Sequence, residues 1–268
     1  MKGSPQIEGF LPRLLLPLTF CLVSASIPLI AAAQSATAAN AKPEFMVATI
    51  KPSDPNVSRG TFFTMKGSHV IAANTDLDDL ISFAYGIHTK QIVNGPLWLA
   101  TDRFDIDGVF GTQSSPNRDQ MKLLFQKLLV DRFQLAFHHE EKELGVYALG
   151  IEKSGPKFTK TDRKPTDSTN FSYTNSIVLT VRNASMADFA DGMAGTFMDR
   201  PVVDQTGLKD RYDFILKWTP EGSPAGEDPS APPGLYTAIK EQLGLTLVAA
   251  KASVQVLVID RIDKLSPN

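Results

Sequence analysis

The chain repeats its own order of elements at a spacing of about 110 residues, and this limits its fold more than any other feature. Asn74-Thr75-Asp76-Leu77-Asp78-Asp79-Leu80 aligns with Asn183-Ala184-Ser185-Met186-Ala187-Asp188-Phe189. The same register, with one gap, lays Asp102-Arg103-Phe104-Asp105 on Asp210-Arg211-Tyr212-Asp213. Leu128-Leu129 followed by Phe133-Gln134-Leu135 then parallels Gln242-Leu243-Gly244 followed by Leu245-Thr246-Leu247. A solenoid uses shorter units, so the spacing predicts an α+β chain of two similar halves that share or face a sheet. Arg103 and Arg211 should then fall on equivalent strands.

Four amphipathic helices punctuate the halves. Their apolar stripes are Leu77, Leu80, Ile81 and Ala84; Met121, Leu124, Phe125, Leu128 and Leu129; Met186, Phe189, Ala190 and Met193; and Leu235, Ala238, Ile239 and Leu243. The spacing places each set on one face. Thr75 with Asp78, Ser115-Pro116, Ser185 with Asp188, and Pro232-Pro233 are the expected starts; Gly86 and Gly244 are expected stops. Between the helices lie mainly antiparallel, alternating strands. Two hairpins are expected, one turning at Glu140 to Glu143 between Phe133–His138 and Leu144–Ile151, the other between Leu245–Ala249 and Val254–Ile259. Gly155 to Asn170 and Thr219 to Gly234 read as connectors, rich in residues that bury little. The divisions are therefore a leader at 1–33, a first half at 34–155, a linker at 156–170 and a second half at 171–268.

Residues 1–33 read as a secretory signal peptide. Lys2 and Arg13 precede an almost wholly apolar run from Leu14 to Ala33, broken by Pro17 and Pro28. Ala31 and Ala33 suit a signal peptidase, with Ala36 and Ala38 as a second option. The competing reading is an uncleaved anchor; the prolines and the alanine-rich exit favour cleavage. The mature chain is expected to be extracytoplasmic, periplasmic or secreted, with no membrane span. Cys21 is the sole cysteine and leaves with the leader, so disulfides, thiolate nucleophiles and thiolate metal sites are excluded. Loss of Lys2, Arg13 and Glu8 takes the formal net charge from -2 to -3. With no basic block, nucleic acid is not an expected partner.

Candidate chemistry is sparse. His138 and His139 are neighbours and would point to opposite faces of a strand. The charged cluster that follows them reads as a turn rather than a metal site. Ser154-Gly155-Pro156-Lys157 has Ser-x-x-Lys spacing, but Gly and Pro break the helical turn that chemistry needs. Asp204-Gln205-Thr206-Gly207 reads as a turn after the strand Pro201-Val202-Val203. Asp105 and Asp107 share one side of a strand and, with His138, are the candidate acid and base if the chain is a hydrolase. Six arginines directly follow Asp, among them Arg103 and Arg211. Those two are candidate partner contacts, together with Trp98 behind the Asn94-Gly95-Pro96 loop. No cofactor is expected.

The segments FMVATIKPSDP (45–55), DLISFAYGI (79–87), Asn94-Gly95-Pro96 with Trp98, DRFDI (102–106), LLVDRFQLAFH (128–138), KELGVYAL (142–149), RPVVDQTGL (200–208), RYDFILKWTP (211–220) and VLVID (256–260) carry a resemblance over nearly all the mature chain. Together they resemble the soil-associated bacterial family of exported proteins of unknown function. The resemblance implies no assigned catalytic residues. Related domains are sometimes fused behind membrane metallopeptidases of the antibiotic-sensor type, which implies a sensing or interaction role. The order of strand, helix and short strands is also similar to the small βαβ domains of secretins and TonB-linked receptors, a likeness of fold alone. The expectation is a non-enzymatic binding or sensing module of the cell envelope, its partner an envelope protein or cell-wall component. The alternative is a carboxylate-dependent extracytoplasmic hydrolase of a polysaccharide or peptide.

Overall fold

The structure, a computed structural model, describes residues 44–54, 56, 63–111, 116–174, 178–220, 222 and 230–265. The segment read as a leader, 1–33, and the residues that follow it up to 43 lie outside the described residues. Among the described residues no helix is long and apolar enough to cross a membrane.

The first half runs β1 (Phe45–Pro52), β2 (Thr64–Lys66), β3 (His69–Thr75), α1 (Leu77–Tyr85), β4 (Ile92–Val93), α2 (Trp98–Thr101), β5 (Phe104–Phe110), α3 (Arg118–Phe133) and β6 (Ala136–Ile151). The second runs β7 (Thr159–Lys160), β8 (Asn170–Thr174), β9 (Val178–Ala184), α4 (Met186–Thr196), β10 (Val202–Asp204), β11 (Tyr212–Lys217), α5 (Leu235–Ala238, extended by a π-helical turn over Ile239–Leu243) and β12 (Leu245–Arg261). Strands β1-β5-β3-β2 form one sheet, and β7-β11-β9-β8 form another with the same order of equivalents. The central sheet is β10-β6-β12-β4. In it β10 lies parallel to β6 and β4 parallel to β12, so each half lends the same two elements. The fold is α+β and doubled, as the repeat predicts. β7 forms inside the stretch read as a connector, where Thr159 and Lys160 pair with Asp213 and Tyr212 of β11.

The two expected hairpins do not form. Each is a single long strand, and β6 and β12 pair antiparallel with each other from Leu245↔Ile151 to Arg261↔Ala136. Glu140 to Glu143 therefore sit in the middle of a ladder: Glu141 faces Gln255 and Glu143 faces Ser253. The strand tolerates them because these side chains are exposed. Polar contacts also hold them, Ser253 Oγ to Glu141 at 2.9 Å and Lys251 to Glu143 at 3.5 Å.

Helix ends follow local chemistry. Asp76, not Thr75, caps α1, accepting from Asp79 N at 2.8 Å. Asn117, not Ser115, caps α3 in a box with Gln120. Ser185 with Asp188 caps α4 as expected. Gly86 ends α1 in the left-handed region at φ 67, which a side chain would resist.

Two cores result, and each needs strands from both halves. The first packs Leu80, Ile81, Leu124 and Phe125 of α1 and α3 on Val70 and Ile106, with Leu257 and Ile259 of β12 closing it. The second packs Met186, Phe189 and Met193 of α4 on Val181 and Leu216, with Leu149 of β6 and Leu245 of β12. Full burial of one such side chain contributes about 1.5–3 kcal/mol, so neither core can lose its borrowed strand without large cost.

Candidate ligand cavity between the two halves

The arginines singled out in the sequence occupy equivalent positions, Arg103 directly before β5 and Arg211 directly before β11. Both turn inward to hold a helix start. Arg103 reaches Asp76, the cap of α1, at 2.5 Å. Arg211 reaches Asp188 in the first turn of α4 at 3.0 Å and the Asn183 carbonyl at 2.8 Å. The following strand repeats a second device. Asp105 accepts the Asn74 amide at 3.0 Å and Asp213 accepts the Asn183 amide at 2.7 Å. Both asparagines stand in the left-handed region, at φ 52 and 53. Partial burial raises the pKa of Asp105, but the Ser53 hydroxyl, the Asn74 amide and the Lys51 ammonium outweigh it and leave the net shift downward.

Asp107 shares the face of Asp105 and binds His69 Nδ1 at 2.7 Å. Trp98 opens α2 and packs half-buried on the first core, with Lys264 6.0 Å from its ring centroid. Its neighbour Leu97 is the exposed large hydrophobic side chain of that loop. His138 is on strand β6. It stands between Glu140 (3.2 Å) and Asp260 (2.8 Å), whose hydrogen bonds, that of Glu140 first, raise its pKa. Among the described residues no group of three or more His, Cys, Asp and Glu has metal-holding geometry. Asp105 and Asp107 stay side by side on β5, bonded to Ser53 and His69, while His138 is bonded to Asp260 on β12.

What the fold does bring together lies between the halves. A cavity of about 600 Å³ opens between α1 and α4, bounded also by the start of α3 and by β8. The register that equates Leu77 with Met186 places Ser82 opposite Asp191, Phe83 opposite Gly192 and Gly86 opposite Gly195. The halves have diverged here, one supplying bulk and the other space and charge. At Gly192 a Cβ would come 3.1 Å from the Phe171 ring, so the missing side chain lets that ring in. The Arg118 guanidinium lies 5.4 Å from the centroid of Phe83 and 5.5 Å from that of Phe171, one ring from each half. Such placement is a cation–π sandwich. Lys122, one turn on, lays its ammonium over Gly86, where a Cβ would stand 2.9 Å from Nζ and 4.0 Å from Asp191 Oδ2.

The Asp191 side chain is open to the cavity yet enclosed by protein. That enclosure pushes its pKa up to about 6, and the charge of Asp188 adds to it, while Lys122 and Arg118 pull it back. The unfolded value is near 3.8. A raised carboxylate pKa favours the folded state below the unfolded value, and the advantage is lost as pH rises through the folded one. Asp191→Asn should therefore stabilise the protein at pH 8 by up to about 1 kcal/mol, after allowance for solvent screening, and change little at pH 4. Urea denaturation at both pH values checks this; equal stability at pH 8 would contradict it.

Polar contacts tie the halves beside the cavity. His88, buried, accepts the Lys90 amide at Nδ1 (3.0 Å) and donates from Nε2 to the Met198 carbonyl (3.2 Å). Burial lowers its pKa, with Lys90 acting in the same direction against Met198 and Asp199, so the neutral ring is favoured. Gln91 Nε2 donates to the Gln255 carbonyl at 2.9 Å.

None of Arg118, Lys122, Asp191, Phe171 and Tyr173 stood out in the sequence. A signal was present: Asp191 interrupts the apolar run Phe189-Ala190-Asp191-Gly192-Met193.

A family model described as Protein of unknown function (DUF3738) matches residues 78–262. The chain belongs to this family. The DUF3738 match begins in the first turn of α1 and ends just beyond β12, so it takes in the central strands and almost every residue lining the cavity. Strands β1 to β3, with Phe63 at the cavity edge, lie before it. Comparison with curated proteins and with solved structures found no match in either.

Proposed function

We propose that this protein is a non-enzymatic binding or sensing module of the cell envelope, and that it holds its ligand in the cavity between its halves. The observation that carries the reading is Arg118. It is a guanidinium held between aromatic rings of both halves at a cavity of ligand size, with no hydrogen-bond or salt-bridge partner among the described residues. Export follows from the leader at 1–33, and the fused relatives of the resembled family agree with a sensing role. The unknown partner is an envelope protein or cell-wall component.

One observation favours the rival hydrolase. A carboxyl titrating at about 6 in a cavity, as Asp191 does, suits acid catalysis. The mature protein, mixed with the small-molecule fraction of an envelope extract, should show a raised Tm that Arg118→Ala abolishes. Turnover of a wall polymer by the wild type, lost in Asp191→Asn while binding persists, would overturn the binding reading in favour of the enzyme.

A further inference from the structure

We propose that the cavity takes an organic acid: a carboxylate set between Arg118 and Lys122, joined to a planar or apolar body that lies among Phe83, Phe171 and Tyr173. This rests on the cavity being the binding site. Among the described residues neither cation has a carboxylate within 4.0 Å. A charged group enclosed by protein gains most from an opposite charge that also takes its hydrogen bonds, and a guanidinium fork matches a carboxylate. Arg118 and Lys122 carry two positive charges, against Asp79 and Asp191 on the other walls. With Asp191 protonated these four groups sum to one positive charge, which a single ligand carboxylate balances and a phosphate dianion would overfill. The rings supply the rest, Phe63 and Phe83 standing edge to face at 5.2 Å between centroids. The cavity falls within the roughly 300–1,000 Å³ usual for small-molecule sites.

A second carboxylate entering beside Asp191 favours its protonated form, so acid binding strengthens as pH falls from 8 to 6. The charged and titratable groups facing Asp191 are Arg118 and Lys122 of α3, Asp188 of its own helix, Asp79 of α1 and Tyr173 of β8.

Three probes of one shape separate the possibilities: 3-phenylpropionate, 3-phenylpropanamide and 3-phenylpropylamine, titrated into the mature chain by ligand-observed NMR at pH 6 and 8. The acid should bind at least about tenfold more tightly than the amide, and more tightly at pH 6. Arg118→Gln should weaken the acid by about tenfold or more and leave the amide unchanged; Lys122→Gln is the second variant should the first fail to fold. Gly195→Leu should remove binding of every probe. A Cβ there meets nothing within 4 Å, so leucine fills the cavity without a clash. Amine or amide binding as well as the acid, acid binding unchanged in Arg118→Gln, or no probe binding at all overturns the assignment of an organic acid. Probe binding that survives Gly195→Leu overturns the cavity as the site.

Discussion

Phe125→Ala lowers stability by about 3–5 kcal/mol and unfolds both halves in one transition. Phe125 is fully buried, and its ring meets Phe45 and Phe83 at 5.8 Å and Phe63 at 6.1 Å between centroids. The cooperativity follows from the central sheet, because β12 closes the first core with Leu257 and Ile259 and the second with Leu245. Damage to either core therefore loosens a strand the other requires. The sequence supplies its own reporters, Trp98 on the first core and Trp218 in the second. Urea unfolding of the single-tryptophan variants Trp98→Phe and Trp218→Phe should give one midpoint, shifted equally by Phe125→Ala. Two separated midpoints would mean that the halves stand alone.

Asn183→Ala costs about 2–4 kcal/mol. Asn183 has no exposed surface and sits at φ 53. Its Nδ2 donates to the carbonyls of Asp167 (2.7 Å) and Lys164 (3.1 Å), which ties the segment before β8 to the second half. Alanine leaves both acceptors without their donor in a part-buried place, and it resists the left-handed backbone. Asn183→Gly relieves the backbone strain and so recovers about 1 kcal/mol, while the lost bonds keep it below wild type. Denaturant midpoints of the two variants separate these terms; equal midpoints would show that the left-handed turn is unstrained.

The doubled order of elements is legible because paired features recur as chemistry. Asn74 and Asn183 start the same turn, Asp105 and Asp213 hold it, and Arg103 and Arg211 brace the helix that follows. Helix stripes were readable for the same reason, since a buried face must repeat every three or four residues. The long strands were not. Their middles are exposed and polar, and exposed polar residues look the same in a ladder as in a turn. The cavity was not legible either. Arg118, Asp191 and Phe171 come from three elements, and only the packing of one half beside the other brings them together. Trp98, Arg103 and Arg211, chosen for conspicuous residue types, pack on the core and at the helix ends.

The central claim is that the seam between the duplicated halves holds a ligand, and native mass spectrometry tests it most directly. Protein purified from its native cells without denaturation should carry a non-covalent mass excess of a few hundred daltons, in the range of ligands that fill such cavities. The excess should disappear in Gly195→Leu and in Arg118→Gln while the fold is kept. A wild type at bare polypeptide mass, or an excess that persists in Gly195→Leu, would contradict the account.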